Sequence, residues 1–128
     1  MKFNFSRLTN PISVCRECGI LWSMDRKGER CDNCNRELEI IPPKKWERIV
    51  SECAKTFPVG SRAKVIGKNS PLGRHYKDSI AVITGYNQHE IYFPIQVQMS
   101  DNKGNIFEDM ATPFDLVPID SKEKWMQI

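Results

Sequence analysis

The chain has 128 residues, a length that suits one ordinary domain or two very small ones. Hydrophobic residues make up 40% and charged residues 27%, so the composition is globular rather than disordered. Net charge is +3, from 19 basic and 16 acidic residues, which is too mild to mark a histone-like or tail-like nucleic-acid binder; a local patch has to carry any such contact.

The longest apolar runs are a handful of residues, far from the roughly 20 that cross a bilayer. Met1 to Asn10 has no apolar h-region and no small-residue cleavage pattern, so no signal peptide is expected. A cytoplasmic, reducing location follows as the expectation. The cysteine count is five, and four of the five fall in two tight pairs, which in a reducing compartment reads as metal binding rather than as a disulfide framework.

In chain order, the first predicted unit covers residues 1–41 and is organised by Cys15, Cys18, Cys31 and Cys34, spaced C-x2-C-x12-C-x2-C. Two residues between ligands let a tight turn aim both sulfurs at one point, and N–H groups in that turn face the thiolates. A hairpin of about a dozen residues then brings the second pair opposite the first, to complete a tetrahedron with Zn–S bonds of about 2.3 Å. Gly19 and Asn35, which follow the two pairs, suit the positive φ such turns need. Four thiolates leave no open position for a catalytic water, so the expected cofactor is one structural zinc ion. Two disulfides and a rubredoxin-like iron site are the alternatives.

These residues resemble the zinc-ribbon superfamily, through Cys15-Arg16-Glu17-Cys18-Gly19, Cys31-Asp32-Asn33-Cys34-Asn35, the apolar Leu38 beyond them and Trp22 in the intervening hairpin. The resemblance implies a metal-stabilised β module of about 30 residues. Ribbons occur in polymerase subunits, ribosomal proteins, enzymes and adaptors alike.

Residues 42–57 are predicted to form a connecting helix. Pro42-Pro43 suits a first turn, and Trp46, Ile49, Val50, Cys53 and Phe57 then form one apolar stripe. Lys44, Lys45, Arg48, Glu52 and Lys55 fall on the other faces, and Pro58 stops the helix. In that stripe Cys53 is a small buried hydrophobe rather than a fifth ligand.

From residue 58 to 120 the period changes to two. Ala63 and Val65 alternate with Arg62 and Lys64, Ser79 to Thr84 is a β-branched run, and Ile95, Val97 and Met99 alternate with Gln96 and Gln98. Asp101 to Asn105 reads as a turn, Ile106-Phe107 as the start of a return strand, and Phe114 to Ile119 as a closing segment placed at an edge by Pro118. The fold class expected is therefore mainly β, with the four-cysteine ribbon, the helix and a small antiparallel barrel in series. Closure is the economical way for about 60 residues of short strands to remove exposed edges. Residues 121–128 form a tail in which Trp125 is a docking candidate.

The segments Val59-Gly60-Ser61-Arg62-Ala63-Lys64-Val65, Pro71-Leu72-Gly73, Ala81-Val82-Ile83-Thr84-Gly85-Tyr86 and Phe114-Asp115-Leu116-Val117-Pro118 resemble SH3-like barrels of the kind that includes KOW domains. Ala81 stands where a KOW motif carries its second glycine. The resemblance implies a binding role with RNA, ribosomes, polymerase or proline-rich peptides as partners, and fold alone does not choose among them.

Between the first two strands of that unit lie Arg62, Lys64, Lys68, Arg74, His75, Tyr76 and Lys77, with no acid until Asp78. Read as a loop, this stretch suits a phosphate backbone, with Tyr76 free to stack on a base; the bland reading is a solvated face. An acidic edge, Asp101, Glu108, Asp109, Asp115 and Asp120, is expected opposite and equally suits a protein partner. Neither His75 nor His89 has a nucleophile or acid at a recognisable motif spacing, and no phosphate loop, nucleophile elbow or H-E-x-x-H occurs. Two functions follow as expectations. The first is a non-catalytic accessory protein contacting nucleic acid, or a polymerase or ribosome. The second is an adaptor or inhibitor of a host enzyme, viral or mobile-element in origin, without nucleic-acid contact.

Overall fold

A computed structural model describes residues 3, 5–100 and 103–119. The tail 121–128, with Trp125, lies outside the described residues, as do Asp101 and Asp120. Two antiparallel sheets and a helix share one apolar core. The first sheet contains β1 (Ile12–Cys15), β2 (Ile20–Trp22) and β3 (Glu39–Ile41) in the order β2-β1-β3. The second contains β4 (Arg62–Val65), β5 (Ile80–Tyr86), β6 (Ile95–Ser100), β7 (Ile106–Ala111) and β8 (Leu116–Pro118), in the order β7-β6-β5-β4-β8. Among the described residues β7 and β8 are the two edges of this sheet and do not pair with each other. No helix among them is long and apolar enough to cross a membrane.

Helix α1 (Pro43–Thr56) takes its N-terminus from Pro42 and from Pro43 in the first turn. It ends where the Phe57 N–H bonds the Cys53 carbonyl and Pro58 follows. The stripe read from the sequence is the buried face: Trp46, Ile49, Val50 and Cys53 have no exposed surface. Burying each of its large members contributes about 1.5–3 kcal/mol. Trp46 donates its indole N–H to the Ile91 carbonyl at 2.8 Å, and its ring lies 5.8 Å from that of Phe114. Because Ile12, Val14 and Ile41 of the first sheet and Val65, Ile83 and Val97 of the second join the same core, the cysteine-bearing segment packs on the helix and does not swing free.

Two departures from the sequence reading bear on the site. The basic stretch is not an open loop, because Pro71–Tyr76 forms a short helix, α2. Ser70 caps it by accepting the Gly73 N–H, and Pro71 starts the first turn. Gly73 is required for close approach: a Cβ there would lie 1.8 Å from the Gly67 carbonyl oxygen. The second departure is Asp115, expected on an acidic edge and found fully buried in the 3-10 turn Pro113–Asp115. Its carboxylate accepts from the Thr112 N–H at 3.0 Å and from the Ser70 hydroxyl, which provides the hydrogen bonds a buried acid needs.

Gly73→Ala separates local propensity from packing. Helix propensity alone favours alanine by up to about 1 kcal/mol, whereas the steric conflict with Gly67 costs about 1–3 kcal/mol or more. The expected outcome in denaturant unfolding is a net loss of stability.

Candidate metal centre

Each pair of cysteines sits in a turn built by its own backbone. After β1, the Gly19 N–H bonds the Cys15 carbonyl at 2.8 Å, and Gly19 adopts φ +75°. In the second turn the Asn35 N–H bonds the Cys31 carbonyl at 3.0 Å, and Asn35 adopts φ 61°. The left-handed residue that each turn requires is thus the one the sequence placed there. Cys31 N–H to Arg36 O at 2.8 Å and Leu38 N–H to Glu29 O at 3.1 Å tie the second turn into a narrow hairpin.

The two turns face each other. All four sulfurs lie within 4.8 Å of one another, and Cys15, Cys18 and Cys31 are buried. Cys15 Sγ is 3.4 Å from Cys34 Sγ, and Cys31 Sγ is 3.9 Å from Cys18 Sγ. A disulfide needs about 2.05 Å, while a tetrahedral four-sulfur site with bonds of about 2.3 Å has edges of about 3.8 Å. The geometry is that of a cluster able to hold a metal ion, and all four sequence-predicted ligands are in it. Cys53 is apart from it, in the helix core.

As free thiols the ligands are unequal. Burial pushes Cys15 up to about 12, and burial also raises Cys18, opposed by the Asn69 side chain. For Cys31 burial acts the same way but is outweighed by the N–H groups of Cys34 and Asn33 and by neighbouring thiols, which bring it down to about 7. The Asn33 N–H points at Cys31 Sγ from 3.4 Å. An ion entering the cluster displaces these protons, so its affinity weakens as pH falls.

The surroundings of the first turn come from both sheets. Arg16 forms a two-pronged pair with Glu39 (Nε–Oε1 2.7 Å, Nη2–Oε2 2.9 Å) and lies over the Phe114 ring, 4.9 Å from its centroid. Burial opposes ionisation of Glu39, but Arg16, with Lys45, keeps it below the usual carboxylate range. Glu17 pairs with Lys68, and Asn69 of the β4–α2 connection reaches Cys18 itself. A Cβ on Gly19 would come within 3.1 Å of Gly67 Cα, so this connection lies against the cysteine turn backbone to backbone. Sequence reasoning missed Asn69, because no local pattern links it to Cys18.

The residues read as a nucleic-acid contact lie on β4, on α2 and in the connections beside them. Lys64 lies 3.6 Å from Asp78, Lys68 pairs with Glu17, and half-buried Tyr76 has its ring 6.1 Å from those of His75 and Phe107. Arg62, Arg74, His75 and Lys77 are exposed, and none of Arg62, Arg74 and Lys77 has an acidic partner among the described residues. In the cysteine-bearing hairpin Arg26 is occupied by the Trp22 ring at 4.8 Å and by Asp32 at 3.3 Å. Comparison with protein-family models, with curated proteins and with solved structures gives no match.

Asp115, beneath Gly19 and Gly67, makes the packing of this region sensitive to pH. Burial, opposed by the Ser70 hydroxyl, raises its carboxyl from the ordinary 3.8 to about 6. The contribution of this side chain to stability is therefore complete below 3.8 and is lost as pH rises through about 6. Unfolding titrations should show wild type losing stability relative to Asp115→Asn between about pH 4 and 6, by up to 2–3 kcal/mol, with a flat difference above about 7.

Proposed function

We propose that Cys15, Cys18, Cys31 and Cys34 hold one structural zinc ion, and that the chain is a non-catalytic accessory module of the nucleic-acid machinery. In this reading the cysteine-bearing sheet is a zinc ribbon. The five-stranded sheet is of SH3-like type but, among the described residues, open between β7 and β8, where the sequence suggested closure; its strand order, in which the last strand, β8, lies beside the first, β4, supports this reading. The carrying observation is the closed set of four sulfurs within 4.8 Å. Sulfur ligation favours zinc over the oxygen-loving divalent ions, and four thiolates supply no open coordination position for chemistry. Structural zinc supplies folding free energy, on the order of 10–16 kcal/mol in small finger peptides, and here it adds to the core that Ile12, Val14 and Ile41 already share with the helix.

Contact with a phosphate backbone in this reading runs through Arg62, Arg74 and Lys77, with His75 and Tyr76 beside them. Two features favour a second reading, an adaptor that docks on a protein. Lys64 and Lys68 are already paired, and exposed Ile80 and Ile106 line one surface pocket.

Purified protein should carry one zinc per chain by elemental analysis. Cys31→Ser should lose it and become protease-sensitive within residues 1–41. Retention of zinc with an unchanged melting curve excludes the structural-zinc role, and a red, iron-loaded protein redirects the reading to electron transfer.

Fluorescence anisotropy with labelled single- and double-stranded DNA and RNA separates the two partner classes. Three phosphate contacts predict a slope of log K on log salt of about −2 to −3. Arg62→Ala, Arg74→Ala and Lys77→Ala combined should abolish that binding without unfolding the protein. Absence of binding to every probe at low salt favours the protein-docking reading.

A further inference from the structure

Asn69 touches the cysteine cluster at two points. Its backbone N–H donates to the Cys18 carbonyl at 2.9 Å, and its side-chain Nδ2 donates to Cys18 Sγ at 3.2 Å. The residue before it, Lys68, pairs with Glu17, and the residue after it, Ser70, caps α2 and bonds buried Asp115. Two consecutive residues of the second sheet's β4–α2 connection, Lys68 and Asn69, thus clamp the first cysteine turn, and Ser70 anchors the same connection to Asp115. We propose that Asn69 is a positioning residue of the metal centre, and that metal occupancy holds the segment 66–77, with its basic residues, in place. The inference rests on the metal reading above.

The chemistry runs in both directions. A four-thiolate site around a divalent ion carries two net negative charges. A hydrogen bond donated to one sulfur draws off part of that charge and fixes the ligand's orientation, as outer-shell partners of metal ligands do. In return, Cys18 held by the ion presents a fixed carbonyl and a fixed sulfur to Asn69. Loss of the ion frees the turn, so segment 66–77 loses the Asn69 bonds while Ser70–Asp115 remains. The arrangement makes α2, and any contact made by Arg74 and Lys77, responsive to zinc.

The test uses the full chain loaded with zinc or with cobalt(II), comparing wild type, Asn69→Asp and Asn69→Ala. Asn69→Asp is nearly isosteric but offers no side-chain donor and adds a negative charge. Zinc transfer to a competing chelator should be faster by about 10–100-fold in both variants. The thiolate-to-cobalt charge-transfer band should move to longer wavelength, because the sulfur lone pairs rise in energy without the donor. In wild type, hydrogen exchange of residues 66–77 should be slower with zinc than without it, while β5 and β6 exchange alike in both states. Wild-type release rates and an unshifted band in Asn69→Asp overturn the role of Asn69. Equal exchange of 66–77 in the two metal states overturns the coupling. Failure of wild type to bind zinc or cobalt at all overturns the metal reading itself, a result distinguishable from the other two.

Discussion

The convergence of four sulfurs on one point is the constraint around which the N-terminal part of this protein is arranged. Strands of three or four residues, as in β1, β2 and β3, are too short to be stable as an isolated sheet. Two supports compensate. One is the cysteine cluster, whose two turns are held by Gly19 and Asn35 in left-handed conformation. The other is the core shared with α1, in which Ile12, Val14 and Ile41 are buried against the stripe led by Trp46. The first turn joins these supports, since Cys15 ends β1 and Arg16 packs on Phe114.

The second sheet meets that turn along its most tightly packed backbone. Gly19, Gly67 and Gly73 stack so closely that side chains on the last two have no room. Such contact between main chains has no flexible side chain to absorb a shift, so the first cysteine turn, the β4–α2 connection and α2 fit together closely. Asp115 completes the arrangement from below, and its burial is tolerated because Ser70 and Thr112 satisfy both carboxylate oxygens. The electrostatic consequence is that part of the basic stretch also serves the fold, since Lys68 pairs with Glu17 beside the cysteines.

This division of labour refines which surface is available for binding. Arg62 on β4 and Arg74 and Lys77 around α2 point to solvent, whereas Tyr76 is held beside Phe107 of β7. Glu108 and Asp109 remain exposed on that strand, and the acidic edge is correspondingly smaller than the linear sequence suggests. Arg62 is not set apart from the exposed apolar residues, since it lines one surface pocket with Ile80 and Ile106.

The sequence by itself determined what depends on local spacing. The C-x2-C pairs and the residues after them specify two turns, because a turn is decided by its own few residues. The stripe from Trp46 to Phe57 specifies α1, because helical periodicity is written every three or four positions. Alternation over Arg62–Val65 and Ile95–Ser100 likewise marks β4 and β6. What only the tertiary structure decided are pairings between distant residues. Asn69 is 51 positions from Cys18, and Ser70 is 45 from Asp115. Helix α2 reads as a loop because Pro71 and Gly73 are loop residues by propensity, and its helical form rests on the Ser70 cap and on the contact of Gly73 with Gly67. An aspartate reads as exposed until its partners are known, since burial of a carboxylate depends on donors that no local pattern announces.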